Sequence, residues 1–134
     1  MLSPRPVLIV SSDITQLEQV ARLIHQCKMQ PVLAPSLADA RTILMQIRPL
    51  IVFCSDDLND CALPRAIKTL RVESGVPVIA LSHLAEWAPC LEACSAGAFD
   101  YIACPPDLKE GRRVVRMALG QLRREHPRAR SHAA

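Results

Sequence analysis

The sequence predicts an α/β domain, a doubly wound (βα)5 sandwich around a five-stranded parallel sheet. Three observations carry this. A short apolar run followed by a longer amphipathic stretch recurs five times along the chain. The clearest runs are continuously apolar rather than alternating, as strands covered on both faces require. Strand–helix alternation in turn forces parallel strands with right-handed crossovers, so helices cover the sheet from both sides.

The elements follow in order. Residues 7–10 (Val-Leu-Ile-Val) form the first strand. Leu17, Val20, Ala21 and Ile24 fall at i, i+3, i+4 and i+7 and predict a helix over about 14–28. Residues 32–34 are a weaker strand. Ser36 and Asp39 open a second helix over about 37–48 in capping-box fashion, and Pro49 closes it. Residues 50–54 (Leu-Ile-Val-Phe-Cys) are the clearest central strand. Pro64 suits the first turn of a third helix over about 63–73, which stops at Ser74-Gly75. The run 76–81 is the fourth strand, with Pro77 near its start, where a missing N–H is tolerated. A fourth helix over about 85–96 ends at Gly97. Residues 101–103 are a short fifth strand. Asp107 and Glu110 open the last helix, whose buried stripe is Val114, Val115, Ala118, Leu119 and Leu122.

The 134 residues are 50% hydrophobic and 22% charged, which suits one domain and excludes a disordered chain. No apolar run approaches the ~18–20 residues of a bilayer span. Residues 1–6 hold two prolines and no long apolar core, so no signal peptide is expected and the expected location is the cytoplasm. The six cysteines (Cys27, Cys54, Cys61, Cys90, Cys94 and Cys104) include no Cys-x-x-Cys pair. They read as reduced, largely buried thiols. Cys90 and Cys94 could share a helix face, but two ligands do not make a zinc site.

Charge is uneven. From Lys109 onward eight Lys/Arg face two Glu, a net +6, so the first 108 residues carry −3 of the overall +3. Without aromatic interleaving or a second recognition helix, this is read as a solvated helix face and tail, or a docking face for an acidic protein, rather than a nucleic-acid site. The expected division is a domain over 1–124 and a basic, disordered tail over 125–134.

In a doubly wound sheet, sites lie at the carboxyl ends of the strands. Those ends are Ser11-Ser12-Asp13, Ser55-Asp56-Asp57, Ser82-His83 and Cys104-Pro105.

The stretch Ala96-Gly97-Ala98-Phe99-Asp100-Tyr101-Ile102 followed by Pro105, together with Val76-Pro77-Val78-Ile79-Ala80-Leu81-Ser82 and the (βα)5 order, resembles the receiver domain of bacterial two-component response regulators, over roughly residues 5–124. The resemblance implies a flavodoxin-like sheet in the order 2-1-3-4-5. It also implies a phosphorelay chemistry in which an aspartate after the third strand takes a phosphoryl group. Two acidic residues after the first strand hold Mg2+, a Ser/Thr and a Lys bind the new phosphate, and an aromatic reports the change.

By that resemblance the acidic pair falls on Ser11 and Ser12, with Asp13 one place later. The phosphoacceptor falls on Ser55, with Asp56 and Asp57 just after it. The hydroxyl position is Ser82 and the aromatic switch position is Tyr101; both match. The lysine position is Cys104. The reading is a degenerate pseudo-receiver: no catalysis, no cofactor, no metal, and signalling through protein contact. A register slip of one residue would put Asp56 at the acceptor position and Asp13 in the acidic pocket. The alternative is therefore a working phosphoacceptor using Asp56 or Asp57, with Mg2+ as its cofactor.

Other readings stay open. Asp13 is expected to be a helix N-cap. Ser55-Asp56-Asp57 with Asn59-Asp60 could hold a cation weakly, and His83 with Cys104 and Cys61 could form a metal- or ligand-binding rim. The face made by the fourth helix, fifth strand and fifth helix is the expected protein-docking surface, with Trp87 and Pro89 as candidate contributors and homodimerisation open.

Overall fold

A computed structural model describes residues 5–83 and 87–125. Among the described residues five strands alternate with five helices: β1 Pro6–Val10, α1 Ile14–Gln26, β2 Gln30–Ala34, α2 Leu37–Leu44, β3 Ile51–Ser55, α3 Leu63–Ser74, β4 Val78–Ser82, α4 Trp87–Ser95, β5 Asp100–Ala103 and α5 Leu108–Glu125. Every strand pair is parallel, in the order β2-β1-β3-β4-β5. This is the doubly wound, flavodoxin-like sheet expected.

Apart from the serines that end β3 and β4, the three central strands are apolar, because successive side chains serve opposite faces and both faces are covered. Leu8, Val10, Val52, Cys54, Val78 and Ala80 pack on one side with residues of α2, α3 and α4. Val7, Ile9, Ile51, Phe53, Ile79 and Leu81 pack on the other with α1 and α5. Phe53 is wholly buried, and burying such a ring is worth about 1.5–3 kcal/mol. The edge strands β2 and β5 are only partly buried, which is why their apolar runs are the weak ones.

The helix ends follow local chemistry. Asp13 caps α1: its carboxylate accepts the Thr15 N–H at 2.9 Å. Ser36 caps α2 by accepting the Asp39 N–H at 3.1 Å. Gly75 closes α3 at φ +70°, a conformation glycine adopts without a Cβ penalty. Gly97, at φ +109°, closes α4 in a Schellman turn, with Ala98 N–H on Ala93 O at 3.0 Å.

Several boundaries shift by one or two residues, and two shifts have a clear consequence or cause. α2 ends at Leu44, four residues early. Pro49 pushes Arg48 toward extended backbone, and the chain leaves through tighter i→i+3 bonds from Met45 and Gln46 to Thr42 and Ile43. β3 extends to Ser55, so Ser55 belongs to the sheet rather than to the loop. Glu125 is the last residue of α5, and the expected disordered tail lies, from residue 126, outside the described residues. No described helix is long and apolar enough to cross a membrane.

Candidate functional site

The parallel sheet brings the ends of β1, β3, β4 and β5 to one rim, and the pairings fix what points there. Val10 pairs Cys54, so Ser11 and Ser55 emerge side by side; Ser55 pairs Leu81, and Ser82 pairs Ala103. Ser11, Ser55 and Ser82 are all buried, and each has a defined partner.

Ser55 does not face solvent. Its hydroxyl donates to Gln16 Oε1 at 3.0 Å and accepts the Asp57 N–H at 3.3 Å. The other end of the Gln16 amide, Nε2, donates to Cys104 Sγ at 2.9 Å. One buried glutamine on α1 therefore bridges the end of β3 to the segment after β5. Among the described residues no base accepts the Ser55 proton, because its acceptor is the neutral Gln16 amide. Burial pushes the Cys104 thiol up to about 11; the Gln16 bond opposes this and nearby Asp56, Asp57 and Asp13 add to it. Burial likewise pushes the Cys54 thiol far above its ordinary value. Such thiols stay protonated near neutrality and are poor nucleophiles and ligands. All six cysteines are free, and the Cys104–Pro105 peptide is cis.

The two aspartates after Ser55 diverge. Asp57 turns toward β1: its carboxylate accepts from Ser11 Oγ at 2.9 and 3.1 Å and from the Ser12 N–H at 3.0 Å. A carboxylate thus fills the space beside the serine pair. Ser12 points elsewhere, donating to Pro35 O at 2.7 Å. Asp56 turns toward β4, accepting from Ser82 Oγ at 2.7 Å and from the His83 N–H at 3.3 Å, with His83 Nδ1 at 3.2 Å. On the far side of that ring, Nε2 lies 3.7 Å from Asp13 Oδ2.

The rim is therefore not a neutral pocket. Asp13, Asp56 and Asp57 converge on His83: Asp13 directly follows Ser12, and Asp56 and Asp57 stand one and two places beyond Ser55. Asp13, Asp57 and His83 each offer one ligand atom within 4.8 Å of the others. Cys104 and Cys61, the thiols of the alternative rim reading, do not join this cluster: Cys104 is held by Gln16, and Cys61 packs against the core. Asp60 is taken as well. Its carboxylate accepts the Leu37 and Ala38 N–H groups at 3.1 Å each, which holds its pKa below the usual carboxylate value. It caps α2 from across the rim instead of joining a cation site.

Tyr101 is half-buried and packs on the core on the α3–α4 side. The side chains of Trp87 and Pro89 lie outside the described residues. Gln16 is the residue the sequence reading missed. It stands four positions before Val20 on the buried stripe of α1, and a polar side chain there is the signal that could have found it.

No family model matches the sequence, and no curated protein does. Solved structures do. A two-component response regulator from Clostridium difficile is 19% identical with a TM-score of 0.80, over 87% of this chain and 97% of that one. A response regulator from Thermotoga maritima is 22% identical with a TM-score of 0.78, over 89% and 99%. A CheY-like response regulator receiver domain protein from Methanospirillum hungatei is 16% identical with a TM-score of 0.80, over 92% and 99%. The likeness is one of fold: the chain has the CheY-like receiver fold of two-component signalling.

That fold implies Mg2+ at the first- and third-strand ends. The residues that fall on those positions by strand count do not fit it; the carboxylates of the rim, Asp13, Asp56 and Asp57, stand one or two places further along. Mg2+ takes carboxylates and water, whereas Ser11, Ser12 and Ser55 offer neutral hydroxyls already bonded to Asp57, Pro35 and Gln16. Among the described residues no lysine lies in this rim cluster; the position before Pro105 is Cys104.

Proposed function

We propose that this chain is a receiver-like signalling module of the two-component type that acts by protein contact and does not take a phosphoryl group at the position its fold reserves for one. The observation that carries this is the Ser55–Gln16–Cys104 chain. The acceptor position and the cation position are both occupied by neutral groups, and one buried amide ties them together. A phosphoryl group would find neither a carboxylate nucleophile nor an ammonium partner there.

The docking face on this reading is that of α4, β5 and α5, elements on which Leu91, Leu108 and Met117 stand exposed and Tyr101 is half-buried. Basic α5 residues Arg112, Arg113 and Arg116 favour an acidic protein partner, and homodimerisation belongs to the same proposal. The reading assigns the module no catalysis of its own and a cytoplasmic place.

Incubation with acetyl phosphate and Mg2+, followed by intact-mass measurement, tests it. The expected spectrum is unmodified. A second reading, phosphoryl transfer to Asp56, draws on the 2.7 Å bond from Ser82 Oγ. A phosphoryl adduct that disappears in Asp56→Asn would establish it and overturn the first.

A further inference from the structure

We propose that Asp13, Asp57 and His83 form a site for a divalent transition-metal ion of the Zn2+ class. The three ligands come from three strand ends: Asp13 caps α1 after β1, Asp57 follows β3, and His83 follows β4. Their ligand atoms lie within 4.8 Å of one another. With metal–ligand bonds of about 2.0–2.2 Å, neighbouring ligands of a tetrahedral ion stand about 3.4 Å apart. An adjustment of about 1 Å, chiefly at the exposed His83 ring, brings them onto one ion.

The surroundings are those a metal site needs. A metal-bound imidazole holds its other N–H on a carboxylate, which fixes ring and tautomer. Here Asp56 Oδ1 lies 3.2 Å from His83 Nδ1 and leaves Nε2 facing Asp13. Asp57 is braced in the same way, by the Ser11 hydroxyl and the Ser12 N–H. Asp56, Ser11 and Ser12 are not ligands; they orient the groups that are. One imidazole nitrogen with two carboxylates suits Zn2+ and its neighbours and is a poor set for Mg2+, which prefers oxygen throughout. Three protein ligands leave the fourth position of a tetrahedral ion for water or for a side chain of a docked partner.

This inference stands apart from the phosphotransfer reading, since neither Ser55 nor Cys104 takes part. Calorimetric titration of chelator-treated protein with Zn2+ tests it. One saturable site is expected, not displaced by excess Mg2+. His83→Gln and Asp57→Asn should each weaken it by more than tenfold. Asp56→Asn, a positioning change, should weaken it about 10–100-fold. Circular dichroism confirms that each variant is folded, and exposed His83 is the substitution least able to disturb the core. Loading with Co2+ should give a visible spectrum without thiolate charge-transfer bands. No saturable binding, affinity unchanged in His83→Gln, displacement by Mg2+, or thiolate bands would each overturn the proposal.

Discussion

Gln16 shows how much one buried side chain can settle. Its amide spans two positions that a working phosphate pocket fills with opposite charges, and it satisfies both neutral replacements at once. Removing it strands the Ser55 hydroxyl in a place water does not reach. Gln16→Leu should therefore lower stability by about 1–2 kcal/mol, the cost of an unpaired buried hydroxyl less the gain from an added apolar side chain. The urea midpoint measures this. The raised Cys104 thiol has a pH consequence. Its folded value of about 11 lies above the ordinary 9.0. Between these values the unfolded chain loses a proton that the folded one keeps, so the stabilisation is whole below about 9 and drains away as pH rises through about 11. Urea midpoints should fall over that window, and less steeply in Cys104→Ala. The serine and cysteine positions were legible because strand ends and Pro105 can be counted. The aspartates were not. Which way Asp56 and Asp57 turn depends on hydrogen bonds to β1 and β4, contacts that no local pattern records.

At the scale of elements, α5 carries two glycines with opposite roles. A Cβ on Gly111 would stand 2.6 Å from Leu23 Cδ2, and Leu23 is fully buried on α1, so it cannot swing clear. Gly120 faces open space, with Arg124 Nη1 the nearest atom at 3.8 Å. Gly111→Ala should destabilise by about 1–3 kcal/mol through overpacking, whereas Gly120→Ala should stabilise by about 0.5–1 kcal/mol through helix propensity. Thermal melts of the two variants should move in opposite directions. Local sequence pattern located all five helices: apolar stripes in α1 and α5, and caps, prolines and glycines at the ends of the other three. It missed the early end of α2, where the restriction that Pro49 places on Arg48 acts from beyond the last turn. Nor could it reveal that Asp60, distant in sequence, caps that helix at its other end.

For the molecule as a whole, the parallel pairing follows from strands buried on both faces and was legible in the residues, whereas the order β2-β1-β3-β4-β5 was legible only through the resemblance to receiver domains. If signalling here is by shape, the domain already rests in its signalling conformation. Adding beryllofluoride with Mg2+ should then leave amide NMR shifts and the melting temperature unmoved, whereas widespread shifts along β4, β5 and α4 would show a live switch.

The Asp57–Ser11 bond constrains what the rim can accept. Placing an acid at the end of β1 alone, as in Ser11→Asp, would press two carboxylates into a space that now holds one. The change must therefore be paired: Ser11→Asp with Asp57→Ser, the second change undoing the intrusion that made the first intolerable. Any redesign of this rim has to change both strand ends together, because each of the two side chains fixes the room left for the other.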